Sequence, residues 1–376
     1  MLHRINPPDA ECQAIFSRIL NFQRQVLAFA CNSATTLPLT EAAVLAEFGP
    51  AGEWFWKQLH VQRGENRGAA NALHRSLEAI VRHVQSNPGS GEAILETFDH
   101  DIRFPEYIED MAFQFAYNTT LDDAARKVLK VLMVAFYEDM LCAGFPSVVH
   151  GAPTIFDRDA LIRSFWAANP EIKVCPACDA QRPDSIGDKN YSDVDHYLPK
   201  SSYSVLSVHP TNLVPVCQGC NRSFKLAQDP IDLDNNAPLV NIFIPYLRPA
   251  LDFVTINTRR LASGLLQFNI VDVDGKRSRR VENLDRTFQL EERWCRREDQ
   301  VKDSVREALS GARRIMLKHE IIPEEVDLQV ELAEMLKDRT ALIGKNYNYV
   351  LHASYLTFAA CDQDEFEELY RQFAGC

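Results

Sequence analysis

The sequence predicts an α+β fold that is predominantly α. Three observations carry this: apolar residues recur at helical spacing over most of residues 1–170 and again beyond about 281, two C-x-x-C pairs fall within 171–230, and two strand-like runs lie near 253–273. The chain therefore divides into a helical N-terminal domain at 1–170, a small central module at 171–230, and a β-hairpin plus helix-rich region at 231–376.

The elements follow in order. Ile15, Phe16, Ile19, Leu20, Val26 and Leu27 mark a first helix, and Leu73, Leu77, Ile80 and Val84 mark another. Between 121 and 143, Leu129, Val131, Leu132, Ala135 and Phe136 form a broad apolar face, as expected of a helix packed on several neighbours. Asn87-Pro88-Gly-Ser-Gly91 and Phe145-Pro146 punctuate this half. Asp157 is the expected N-cap of a short helix reaching Phe165 and Trp166, which Asn169-Pro170 ends.

Beyond the central module, Asp229-Pro230 and Ala237-Pro238 mark an exit linker. Phe253–Ile256 and Leu265–Val273 read as strands, with Asp274-Gly275 a hairpin signal after the second. Val301, Val305, Ala308, Ala312 and Ile315 share one helix face, which is only weakly apolar. Pro323-Glu-Glu opens a further helix whose turn Ile321 and Ile322 can staple, and the C-terminal end is acidic and helical.

No apolar run is long enough to span a bilayer, and the N-terminus lacks the apolar core of a signal peptide, so a soluble, cytoplasmic protein without membrane partners is expected. The net charge of -12 excludes a simple basic nucleic-acid coat. Contact with nucleic acid must use a metal or a local patch; Lys276-Arg-Ser-Arg-Arg280, near Arg259, Arg260, Arg293, Arg296 and Arg297, is either such a patch or a set of solvated charges.

Cys175-Pro-Ala-Cys178 and Cys217-Gln-Gly-Cys220 are spaced to place four thiolates on one ion. Zinc suits such a site, and with all four positions filled its task is structural: it ties two distant segments into a module with little core. A redox C-x-x-C is the alternative. His209, between the pairs, is either a substitute ligand or a loop residue. Cys12, Cys31, Cys142, Cys295, Cys361 and Cys376 read as small buried hydrophobes.

Between and just beyond the pairs stand Asp193-Val-Asp195-His196-Tyr-Leu-Pro199-Lys200 and Asn212-Leu-Val-Pro-Val-Cys217-Gln-Gly-Cys220-Asn221. This string, over about 55 residues, resembles the HNH endonuclease superfamily, the ββα-metal nucleases. The cysteine frame resembles the endonuclease VII and McrA-like branch, and the HNH nucleases of bacterial anti-phage systems such as the Septu and retron-associated ones. The resemblance implies two short strands, a loop and a helix starting near Gln218, and hydrolysis of nucleic-acid phosphodiesters by one metal ion. It implies that Asn212 fastens the loop carrying the histidine. Asn221 stands where the family often has a second histidine, and would offer its carbonyl oxygen to the metal.

The chemistry of the residues agrees. His196 suits a general base that deprotonates water. Asp195 and Asn221 offer hard oxygen ligands to Mg²⁺ or Mn²⁺. Adjacent strand residues face opposite ways, so Asp195 and His196 share a site only where the strand ends, and Pro199 fits that exit. Asp193 is either a supporting ligand or a solvated strand residue; Lys200 and Lys225 either contact phosphate or are merely solvated.

Three functional readings follow. One is an endonuclease acting on nucleic acid, with DNA favoured over RNA and the choice left open by the sequence. Another is a non-catalytic zinc module that recruits nucleic acid or a protein. A third adds context to the first: the large helical half docks on a regulatory partner such as an ATPase.

Overall fold

The computed structural model describes residues 1–375 apart from 62–71, 181–184, 187–188, 191 and 232–238. Ala237-Pro238 and Cys376 lie outside the described residues. The chain is α+β and predominantly α, with antiparallel two-stranded ribbons between helices. No helix among the described residues is long and apolar enough to cross a membrane.

The first helix, Ala10–Cys31, starts where the Asp9 carboxylate accepts the Cys12 amide at 2.8 Å. It buries Ile15, Phe16, Ile19, Val26 and Leu27 and packs on helices Ala72–Ser86 and Ser90–Asp101. Phe22 meets Phe55, Phe48 and Trp54 with ring centroids 5.6, 5.7 and 6.1 Å away. Each such ring taken from water contributes about 2–3 kcal/mol. Asp122 caps helix Asp123–Ala135, which runs on into a wide π turn, Phe136–Leu141. That helix buries Leu129, Leu132 and Ala135, but Val131 is 48% exposed, so its apolar face is narrower than the sequence suggests. Asp157 caps helix Arg158–Ala168 through the Ala160 amide, and Asn169 ends it.

The ribbons, in chain order, are β1 (Ser185–Ile186) with β2 (Lys189–Asn190), β3 (Asp193–His196) with β4 (Leu213–Val216), and β5 (Val254–Arg260) with β6 (Leu266–Asp272). In the central ribbon Asp193 faces Val216, Asp195 faces Val214 and His196 faces Leu213. A seven-residue π turn, Gly219–Lys225, follows β4 where the sequence predicts a helix near Gln218.

Elsewhere three expectations are corrected. The β5–β6 turn lies at Leu261–Leu265, where Gly264 adopts φ +86°, and Asp274-Gly275 leads instead into helix Ser278–Phe288. Ile321 and Ile322 are 48% and 81% exposed and staple nothing; Glu324 and Asp327 start helix Glu325–Ala341 by a capping box instead, each carboxylate accepting the other residue's backbone amide. On helix Glu298–Lys318 Val301 and Val305 are buried, but Ile315 at the far end projects into solvent.

Candidate functional site

The four cysteines converge. One ligand atom from each of Cys175, Cys178, Cys217 and Cys220 lies within 4.8 Å of the others. The Cys175–Cys220 and Cys178–Cys217 sulfurs are both 3.9 Å apart. A tetrahedron with Zn–S bonds of about 2.3 Å has edges of about 3.8 Å, so the set fits a metal such as zinc. In the first knuckle the Cys178 and Asp179 amides turn back to the Cys175 carbonyl, with Asp179 at φ +59°. The second begins directly after β4. There the Cys217 amide donates to Cys175 Sγ and the Cys220 amide to Cys217 Sγ, each at 3.4 Å, which stabilises thiolate. Hydrogen bonds from Cys175, Cys217 and Cys220 hold Cys178 well below the ordinary thiol range, and the Arg293 charge adds to this.

Several chain segments depend on this cluster. Arg293 donates to Cys220 Sγ at 3.4 Å and stacks 4.0 Å over Phe224. Trp294 donates to the Cys178 carbonyl at 3.3 Å. Asp179 is fully buried; it meets His3 Nε2 at 2.8 Å and accepts the Val350 amide at 3.3 Å. The cluster thus joins the N-terminal residues, the central ribbon and the C-terminal helices. His209 takes no part in it: its ring packs on Phe104 at 5.1 Å and caps the turn at Thr211. Of the other cysteines, Cys12 is buried, Cys31 and Cys295 are half-buried, and Cys142 and Cys361 are exposed, so the expectation of small buried hydrophobes fails for the last two.

The connection between β3 and β4 is fastened by Asn212, which is buried. Its Oδ1 accepts the Leu198 amide at 2.7 Å, and its Nδ2 donates to the Leu198 and Leu206 carbonyls at 3.0 and 3.2 Å. The same connection carries Ser207, whose carbonyl meets His196 Nε2 at 2.9 Å. The imidazole lies edge to face with the Tyr137 ring, centroids 4.2 Å apart, and the Tyr137 hydroxyl donates to the Val194 carbonyl. Burial, together with the Lys200 charge, pushes His196 down to about 3, so the ring is neutral at pH 7.

The neighbouring carboxylates have different partners from those expected. Lys225 is 1% exposed, which rules out both a phosphate contact at the surface and a solvated side chain. Its ammonium donates to Asp195 Oδ1 at 3.0 Å and to the His196 carbonyl at 2.6 Å. Burial raises Asp195 above the usual carboxylate range, and the Lys225 charge pulls it back only in part. Asp195 Oδ2 is buried with no hydrogen-bond partner. Asp193 is neither a bare ligand nor solvated: Arg222 grips it through two bonds of 2.6 Å, and Asn221 Nδ2 donates to it at 3.2 Å. The structure therefore sets Asn221 on Asp193 and, one turn on, Lys225 on Asp195. Asp195 Oδ2 is the one carboxylate oxygen here left without a partner, and Asn221 in this arrangement does not supply a ligand beside it. Lys200 sits 3.6 Å from Glu138 rather than free for phosphate.

No family model, curated protein or solved structure matches this chain.

Most of the basic residues expected near 276–297, Arg297 excepted, are engaged by other groups rather than gathered in an open patch. Arg277 pairs with Asp274, Arg280 donates to the Val240 carbonyl, Arg260 pairs with Asp362 and Glu365, and Arg293 serves the sulfur cluster. Neither Tyr137 nor Arg222 is singled out from the sequence, and Arg293 is placed only in a basic patch. Arg222 has a signal, since it adjoins Asn221 beside a strand rich in aspartate. The other two reach the site only through tertiary packing and leave no local trace.

Proposed function

We propose that this chain is a metal-dependent phosphodiester hydrolase of the HNH type, an endonuclease acting on nucleic acid, DNA in preference to RNA, with a role in anti-phage defence. The observation that carries the reading is Asn212. It spends its whole amide on the loop between β3 and β4, and that loop delivers the Ser207 carbonyl that orients His196. Burial makes the imidazole a weak base as it stands; on this reading the water and substrate that displace Tyr137 relieve that burial, and His196 then takes a proton from water. Asp195 keeps one unsatisfied oxygen for a cation. Mg²⁺ or Mn²⁺, when bound, would supply charge neutralisation at phosphorus.

Tyr137 covers the imidazole and Lys225 occupies the carboxylate. On this reading substrate and cation displace these two contacts. Tyr137 belongs to the N-terminal helical half, so a regulatory partner such as an ATPase docking there has a direct route to His196.

One observation favours a second reading, a non-catalytic zinc module that recruits nucleic acid or protein: Asp193 and Asp195 are already neutralised by Arg222 and Lys225. Incubation of supercoiled plasmid and of RNA with Mg²⁺ or Mn²⁺ separates the two. The hydrolase cuts and His196→Ala does not; equal cutting by both proteins removes the proposed base.

A further inference from the structure

A cleft of about 540 Å³ opens between the start of helix Glu298–Lys318, the end of helix Glu325–Ala341 and the start of helix Tyr349–Ala359. None of the residues lining it belongs to β3, β4 or the π turn, and none is acidic. In a chain of net charge -12 that is unusual company for two arginines. Among the described residues no carboxylate pairs with Arg297 or Arg339. Arg297 is aimed by Asn348, whose Oδ1 accepts a hydrogen bond from its Nη1 at 2.6 Å, and the Arg339 guanidinium carbon lies over Tyr349, 4.4 Å from the ring centre. Both guanidiniums are thus pre-oriented without being neutralised.

Two further side chains line the cleft. His352 is 5% exposed, and its Nδ1 is buried with no partner. Burial, with the Arg339 charge, holds that ring down to about 4, so it is a neutral hydrogen-bonding group. Tyr347, 54% exposed, offers an open ring at the rim.

We infer that this cleft binds a nucleotide: its phosphate between Arg297 and Arg339, its base on Tyr347, and a polar edge against His352 Nδ1. The volume falls within the range of small-ligand sites, and paired guanidiniums match a phosphate's geometry. The inference does not depend on the hydrolytic reading. A free nucleotide and the 5′-phosphorylated end of a strand share this chemistry.

Calorimetric titration of the full chain tests it, with adenosine 5′-monophosphate, a 5′-phosphorylated trinucleotide, inorganic phosphate and adenosine as probes. Binding of at least one phosphorylated nucleotide is expected, and the stronger of the two names the source. Arg297→Gln and Arg339→Gln each weaken it by about tenfold or more, while Arg103→Gln on the far surface does not. Tyr347→Ala weakens the nucleotide but not phosphate. Thermal melts of each variant, matching the parent, show that the fold is intact. No binding of either nucleotide at millimolar concentration, affinity unchanged in both arginine variants, or equal affinity for inorganic phosphate and nucleotide overturns the assignment.

Discussion

Replacing Lys225 by Met tests the most consequential contact in the site. The ammonium is 1% exposed and its carboxylate partner 2% exposed, at 3.0 Å. Removing one member of such a pair leaves a charge without compensation in a dry environment, at a cost of about 3–5 kcal/mol. The Asp195 carboxylate would then have both oxygens unsatisfied, since Oδ2 already lacks a partner. With about 2.1 cal/mol/K of unfolding entropy per residue over 376 residues, that loss lowers the melting temperature by about 4–6 °C. Differential scanning calorimetry at pH 7 reads it directly. A second substitution, Asp195→Leu in the same chain, should restore most of the loss, because a buried ion pair exchanged for apolar groups of similar volume is close to neutral. Millimolar Mg²⁺ or Mn²⁺ should stabilise Lys225→Met more than the parent, since a cation can occupy the vacated place beside Asp195. A Lys225→Met protein that melts within 1 °C of the parent, with or without divalent cation, refutes the reasoning.

Three further outcomes follow from the same structure. Asn212→Ala removes three buried hydrogen bonds and should cost about 2–4 kcal/mol, seen as a lower urea midpoint, with proteolytic sensitivity appearing first in residues 197–212. Metal analysis should find one zinc per chain bound by the cysteine tetrad, and Cys175→Ser or exhaustive chelation should unfold the central module, read as loss of protection of the β3 and β4 amides from hydrogen exchange. His209 is pushed down to about 4 by burial, below its ordinary 6.5, so the unfolded chain binds the extra proton between those values. Its contribution is complete above pH 6.5 and declines by about 3 kcal/mol as pH falls to 4; His209→Gln should make that limb of the urea-unfolding stability profile shallower by about this amount, leaving the part due to His196 and His352.

Much of the fold is legible because local chemistry decides it. Asp157 caps its helix as its position suggests, and each C-x-x-C turns its two thiols to one side, so two such pairs read as halves of one metal site despite their separation in sequence. Legibility fails where a residue's partner is distant in sequence. Lys225 looks like one more surface lysine, yet the turn that carries it lies against β3 and buries it on Asp195. Asn221 matches a ligand position, but Arg222 beside it has drawn Asp193 into the same contact. Tyr137 comes from a helix whose only visible signal is apolar periodicity, and nothing in that pattern says it ends on an imidazole. Val131 and Ile315 err the other way: they fit the period and still face solvent.

If His196, held by the Asn212-fastened loop on a sulfur-bound scaffold, is the base of a phosphodiester hydrolysis, its removal abolishes cutting while the fold stays intact. Time courses of plasmid nicking by the zinc-loaded protein with added Mn²⁺, run beside His196→Ala with its zinc content and melting temperature verified, measure this. Nicking by the parent and a loss of about a hundredfold or more in the variant are expected. Identical rates in the two, or no cleavage of any nucleic acid by the parent, rule this role out.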